Sequence, residues 1–166
     1  MKFALENLIG IASITILTLN TIILSCLLIP LGLIKFFLPI TNIKVLFTKF
    51  IINIGELWIF TNKIWVKALH KPNWEIIGKE NIKSNGWTIA TSNHQSFADI
   101  FLLQDITNMK MPMLKFFMKY VLIYVPIIGL SWWALDMPFL KRYTKKQLEK
   151  NPKLVGKDVK EMKRAL

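Results

Sequence analysis

The chain has 166 residues, of which 53% are apolar and 19% are charged, and its formal net charge is +12. So high an apolar fraction excludes an intrinsically disordered protein, and the length allows one domain and little more. The single cysteine, Cys26, excludes a disulfide framework and a cysteine-based zinc cluster.

The first element in chain order is an uncharged stretch of 28 residues, 7–34. As a helix it would measure about 42 Å, whereas the apolar core of a bilayer is about 30 Å thick. A cleaved signal peptide would have a shorter apolar region of about 7–15 residues. The stretch is therefore predicted to be a membrane segment. Pro30 and Gly32 could kink one long helix or mark the turn of a helical hairpin, and both alternatives stay open.

A second apolar stretch, residues 45–60, has a polar minority face at helical spacing, which is typical of an interfacial helix. Lys2 is the only basic residue before the uncharged stretch, whereas several lysines follow the stretch. By the positive-inside rule, we expect an integral protein of the cell inner membrane with everything downstream in the cytoplasm. We expect residues 1–69 to form the membrane-embedded and interfacial helices and residues 70–166 to form the second domain.

The second domain has short strand patterns that alternate with helices, which predicts an α/β sheet. A helix is predicted over residues 97–106, because Ser96 followed by Asp99 resembles a capping box. A short Trp-rich helix and, in the basic tail, two helical stretches separated by Pro152 follow it. The predicted strands are residues 74–77, 87–91, 114–118 and 137–140.

The candidate chemistry lies in residues 93–99, Asn-His-Gln-Ser-Phe-Ala-Asp. His94 leaves a predicted strand and Asp99 lies in the first turn of the next helix, so the turn can bring them together. Nδ1–H of His94 can then donate to the carboxylate, which leaves Nε2 free as a general base. The ordinary alternative is a loop histidine beside an acid that only caps the helix.

This spacing, after an apolar strand and behind a membrane segment, resembles the glycerolipid acyltransferases. It is most similar to the lysophosphatidic acid acyltransferase family (1-acylglycerol-3-phosphate O-acyltransferase, PlsC-type). Residues 116–129 are similar to that family's second conserved region, and residues 132–142 resemble a bacterial YihG-like branch. The resemblance runs from about Trp74 to the last residue. It implies that residues 70–166 are the N-terminal part of the family's α/β sheet domain.

The resemblance implies that His94, oriented by Asp99, deprotonates the free hydroxyl of a lysophospholipid. That oxygen attacks the thioester of acyl-CoA or acyl-ACP, which serves as co-substrate, and no metal or other cofactor is required. The expected partners are therefore membrane phospholipid, the lysophospholipid acceptor and the acyl donor, with no nucleic acid.

The resemblance also implies four substrate-binding residues. Lys141 and Arg142 fall where the family places a basic residue against the acceptor phosphate, and an arginine fork suits phosphate. Asn93 and Ser96 would shape the turn around the base.

The family's third motif, Phe-Pro/Leu-Glu-Gly-Thr-Arg, and the proline-bearing fourth motif do not occur in this sequence. We therefore expect a chain truncated before the third motif. The alternative to an enzyme is a catalytically inactive remnant that acts as a membrane-anchored lipid- or partner-binding protein. A nucleic-acid binder, suggested only by the charge, fits poorly because the tail lacks a recognisable module.

Overall fold

The computed structural model of the chain describes residues 2–82, 88–93 and 95–165. It is 69% helical. The elements of the described residues, in chain order, are α1 (Lys2–Phe37), α2 (Thr41–His70), a 3₁₀ helix (Lys79–Asn81), α3 (Phe97–Thr107), β1 (Met118–Lys119), a 3₁₀ helix (Tyr120–Tyr124), α4 (Ile128–Ala134), β2 (Phe139–Leu140), α5 (Lys145–Lys150), a 3₁₀ helix (Pro152–Leu154) and α6 (Lys157–Ala165).

The two long N-terminal helices form an antiparallel hairpin. Ser13 Oγ, in the first half of α1, lies 2.8 Å from Nε2 of His70, the last residue of α2. Further along α1, the side-chain amide of Asn20 donates to Asn62 Oδ1 at 2.9 Å. Hydrogen bonds of this kind join apolar helices where water does not compete. Of the two alternatives for residues 7–34, the structure adopts one long helix, and the hairpin forms between this helix and the next.

Pro30 and Gly32 do not form the turn of this hairpin. Helix α1 continues through both residues to Phe37, and the turn occupies residues 38–40. The second predicted apolar helix, residues 45–60, is the middle of the longer α2. The turn lies instead around Pro39, which cannot donate the backbone hydrogen bond that would continue α1.

Helix α1 leaves most of its large apolar side chains exposed. Leu8, Ile11 and Leu19 are each more than half exposed. Among the described residues, Phe3–Phe37 is the one helix that is long and apolar enough to cross a membrane, with a mean hydropathy of 2.2. Only 17% of the most apolar 18-residue stretch of this helix is buried in the protein, so other elements do not cover the helix as they would cover a core helix. This exposure is in keeping with the predicted membrane association.

The second half of α1 also carries the contact with α4. A Cβ atom built on Gly32 would lie 2.5 Å from Ala134 Cβ, so only glycine allows the two helices to approach this closely. The buried Ser131 hydroxyl donates to Ser25 Oγ at 2.8 Å. At the end of α1, Lys35 Nζ lies 2.8 Å from an Asp136 carboxylate oxygen just beyond α4. These contacts attach the C-terminal half of the chain to the hairpin.

The predicted α/β class holds only in part, because the chain is mostly helical. The sheet of the described residues consists of β1 and β2, which pair in parallel over two residues each. Residues 74–77 and 88–91 form no strand, so those two predictions are wrong for the described positions; residue 87 lies outside the described part. Ile77 and Ile89 are highly exposed. Residues with a high strand propensity form a strand only where a partner strand pairs with their backbone hydrogen-bonding groups.

The remaining helix predictions are confirmed. Helix α3 covers the predicted range 97–106, and α4 is the short Trp-rich helix. In the basic tail, α5 and α6 lie on either side of Pro152. The division of the chain into residues 1–69 and 70–166 stays a prediction.

Candidate active site

The first part of the site is the turn that leads into α3. Ser96 is the N-cap residue, with extended φ and ψ of −141° and 163°, and the helix begins at Phe97. A serine at the N-cap with an acid three residues later supplies acceptors to backbone N–H groups that the helix itself cannot satisfy. The Ser96–Asp99 capping box predicted from the sequence is present.

The carboxylate of Asp99 is held by the backbone of this turn. The N–H groups of Gln95 and Ser96 both donate to Asp99 Oδ2 at 2.7 Å, and Ser96 Oγ lies 3.4 Å from Oδ1. Two short charge-assisted bonds to backbone leave the carboxylate little rotational freedom. Asp99 is therefore a preorganised acceptor in the turn that directly follows residue 94.

His94, the predicted base, lies outside the described residues. Its partnership with Asp99 therefore stays a prediction. Asn93 is exposed, and its backbone carbonyl accepts a hydrogen bond from Ser92 Oγ at 2.9 Å.

The segment between the two parts of the site contains a strained turn at Ile127. Its φ and ψ are 64° and −59°, and the N–H of Ile128 donates to the carbonyl of Pro126 at 2.6 Å. This is the rare γ-turn, which is unusual for a β-branched residue. Gly129 follows at the start of α4, where a Cβ atom would lie 2.3 Å from the Ile123 carbonyl oxygen. The chain can therefore fold back on itself here only with glycine.

We expect Gly129→Ala to destabilise the protein by about 1–3 kcal/mol, the usual effect of forcing extra volume into a packed site. The obstacle is backbone, because the new methyl group would also lie 2.7 Å from the Leu122 carbonyl oxygen. The measurement is the thermal midpoint in detergent micelles. Gly10→Ala is the matched control, since a Cβ atom on Gly10 meets nothing within 4 Å. An unchanged midpoint for Gly129→Ala would contradict this explanation of the turn.

Lys141 and Arg142 follow β2 at the carboxyl edge of the small sheet. Residues that follow parallel strands meet at the same edge, so Tyr120 after β1 lies beside Lys141 after β2. Lys141 Nζ lies 4.5 Å from the centroid of the Tyr120 ring, within the range of a cation–π interaction. Both basic residues are exposed, as a site for a solvent-borne or membrane-borne anion would require.

The two parts of the predicted site are positioned by different helices of the hairpin. Helix α3 packs on α2, where the rings of Phe101 and Trp58 stack with their centroids 6.2 Å apart. The small sheet packs with the Tyr120–Tyr124 3₁₀ helix, which packs on α4, and α4 docks on α1. The structure thus brings Ser96 together with Asp99 and Lys141 together with Tyr120, and the hairpin carries both pairs.

No group of three or more His, Cys, Asp or Glu side chains in the described part of the chain could hold a metal ion. That the reaction requires no metal and no other cofactor stays a prediction.

Comparison with known proteins decides the family. The family model described as Acyltransferase matches residues 73–165, which is more than half of the chain. The chain belongs to the Acyltransferase family. The match supports an acyltransferase activity in lipid metabolism, and it confirms the glycerolipid acyltransferase resemblance at the level of the family. Neither the curated proteins nor the solved structures gave a match.

Within this Acyltransferase domain, sequence reasoning missed the roles of Tyr120 and Gly129. The signal for Gly129 was available, because it follows Pro126 by three residues in a segment of otherwise bulky side chains. Nothing local marks Tyr120, whose contact with Lys141 depends on how two strands pair.

Proposed function

We propose that the protein transfers a fatty acyl group from acyl-CoA or acyl-ACP to the free hydroxyl of a lysophospholipid, in phospholipid biosynthesis or remodelling. Among lysophospholipids, the preferred acceptor in this proposal is lysophosphatidate, which acylation would convert to phosphatidate. The observation that carries the proposal is the Asp99 carboxylate, which the N–H groups of Gln95 and Ser96 hold in the turn into α3, in a chain of the Acyltransferase family.

In the proposed reaction His94 is the general base and Asp99 its positioning residue. A carboxylate fixed by backbone can hold an imidazole in one orientation and stabilise the imidazolium that forms when the base takes a proton. General base catalysis of this type contributes about 10²–10⁴-fold to a rate. Asn93 and Ser96 shape the turn that carries both groups.

The acyl transfer balances without a further reagent. As His94 removes the proton of the acceptor hydroxyl, the oxygen attacks the thioester carbonyl and a tetrahedral intermediate forms. The carbon–sulfur bond then breaks, an oxygen ester remains, and the thiolate of the donor leaves with the proton that His94 held. The residues therefore have to supply a base and to hold both substrates in near-attack geometry.

Lys141 and Arg142 are proposed to bind the acceptor phosphate. Both are exposed at one edge of the sheet, and a planar guanidinium can bind two phosphate oxygens at once. The ring of Tyr120 limits the positions that the Lys141 side chain can take, since the cation lies over it.

The membrane association is proposed to be integral, through the hairpin, in the cell inner membrane with the site on the cytoplasmic side. The exposed apolar surface of α1 supports an embedded hairpin. The cytoplasmic side is proposed from the excess of lysine and arginine that follows the hairpin, in residues 71–166. Such a protein meets its lipid acceptor in the membrane and its acyl donor in the cytoplasm.

The test is conversion of lysophosphatidate to phosphatidate with acyl-CoA, by the purified chain in vesicles and by membranes of a strain without other such activity. We expect product that depends on both substrates and on His94. Failure to transfer from acyl-CoA and from acyl-ACP to any lysophospholipid would contradict the proposal. It would favour the inactive, membrane-anchored binding protein.

The phosphate site makes its own prediction. Arg142→Met should raise the KM for lysophosphatidate about 10–100-fold, the equivalent of one charge-assisted hydrogen bond, and should leave the KM for acyl-CoA nearly unchanged. Lys145→Met in α5 is the control, because it removes the same charge from the tail without a predicted substrate contact. Equal effects of the two substitutions would show that only the overall charge matters.

A further inference from the structure

Four exposed apolar residues occur at a spacing of three in the segment that leads into α4. Val121, Tyr124, Ile127 and Leu130 are 64%, 71%, 40% and 46% exposed. Val121 and Tyr124 are one turn apart in a 3₁₀ helix, which has three residues per turn, and Ile127 and Leu130 span the start of α4. We call these four residues the apolar stripe.

The apolar stripe is held beside the most apolar helix of the chain and not beyond its end. Ser131, next to Leu130, donates to Ser25 of α1, and Ala134 lies against Gly32. These contacts fix α4 along the second half of α1. Gly129 and the γ-turn at Ile127 then fold the Tyr120–Tyr124 3₁₀ helix back toward α4.

The neighbouring surface of α1 indicates what covers the apolar stripe. Leu27, Leu33 and Ile34, which lie in the part of α1 that contacts α4, are each about half exposed. At about 100° per residue they point away from Ser25 and Gly32, which contact α4, so lipid that covers them surrounds α1 at the same level along its axis as α4. Tyr120, paired with Lys141, follows β1 at the other end of the segment, and aromatic and basic side chains of this kind are enriched at membrane–water interfaces.

We propose that the apolar stripe inserts into the phospholipid bilayer beside the hairpin, so that the acyltransferase domain has a membrane contact of its own. The proposal rests on the membrane attachment given under the proposed function. Insertion would hold Lys141 and Arg142 at the level of the lipid phosphates, because they lie at the sheet edge next to Tyr120. A bilayer that contains anionic phospholipid fits the net charge of +12.

The experiment measures how deep single nitroxide labels lie in vesicles of phosphatidylcholine and phosphatidylglycerol. The native Cys26, exposed on α1, takes one label directly. In a Cys26→Ser background, Val121→Cys and Leu130→Cys take labels on the apolar stripe. Val155→Cys is the matched control, since Val155 is an equally exposed apolar residue (68%) that lies in the basic tail. Each label reports its collision rate with oxygen, which concentrates in lipid, and with a water-soluble nickel chelate.

We expect the ratio of oxygen to nickel collisions at positions 121 and 130 to be several-fold higher than at position 155 and close to that at Cys26. Ratios at 121 and 130 that equal the ratio at 155, with a lipid-like Cys26, would overturn the insertion and leave the membrane attachment intact. Ratios at 121 and 130 equal to the ratio at 155 would also be expected if the apolar stripe bound another protein and not lipid. A water-like ratio at Cys26 would overturn the attachment itself and the insertion with it.

Discussion

Replacement of His94 by alanine is expected to lower kcat/KM for acyl transfer by about 10²–10⁴-fold, the usual contribution of a general base. The hydroxyl of a lysophospholipid is a poor nucleophile until its proton is removed, and water does not replace a positioned imidazole. The measurement is the initial rate of phosphatidate formation with both substrates saturating and with each one limiting.

The matched control for this variant is His70→Ala. His70 is the other histidine of the chain, and its Nε2 lies 2.8 Å from Ser13 Oγ in the hairpin. Its loss removes an imidazole and one interhelical hydrogen bond, so we expect a small loss of stability with the activity kept. Near-normal transfer by His94→Ala, or an equal loss in both variants, would remove His94 from the mechanism.

Asp99→Asn is expected to lower kcat/KM by an amount of the same order, about 10²–10⁴-fold. The amide oxygen of asparagine can still accept the N–H groups of Gln95 and Ser96, so the turn into α3 keeps its geometry. The negative charge that would stabilise the imidazolium is lost. The substitution therefore separates the electrostatic role of Asp99 from its role as a helix cap.

The matched control for the second variant is Asp105→Asn. Asp105 lies on the same helix, and its carboxylate pairs with Lys63 of α2. Both variants exchange a carboxylate for an amide on α3, and only Asp99 is bound to the turn that follows the predicted base in the sequence. Rates and thermal midpoints should be measured for both. If the loss of activity followed the loss of stability in the two variants alike, Asp99 would be a structural cap and not a positioning residue.

Some features could be predicted because their causes lie within one or two turns of chain. The long helix α1 follows from the lack of charge over residues 7–34, and α3 begins where Ser96 and Asp99 can satisfy backbone N–H groups. Membership of the Acyltransferase family was within reach of the same local information, because residues 93–99 and 116–142 carry the resemblance.

The strands could be predicted only in part: β2 lies within the predicted range 137–140, whereas β1 shares only Met118 with the predicted range 114–118. β1 and β2 pair between Met118 and Phe139, 21 residues apart, and each is stable only through the other. Residues 74–77 have an equally favourable composition and form no strand. The sequence also left open whether Pro30 lies within one long helix or in a turn, and the structure places it within α1.

The sequence by itself determined the apolar N-terminal helix, the capped turn with Asp99 and the basic two-helix tail, because hydropathy, capping and charge act between near neighbours. Only the tertiary structure decided that α1 and α2 close as a hairpin, that Gly32 contacts Ala134, and that Lys141 lies over Tyr120. These contacts join residues that are far apart in the chain. Their geometry depends on close packing and strand pairing, which no local pattern encodes.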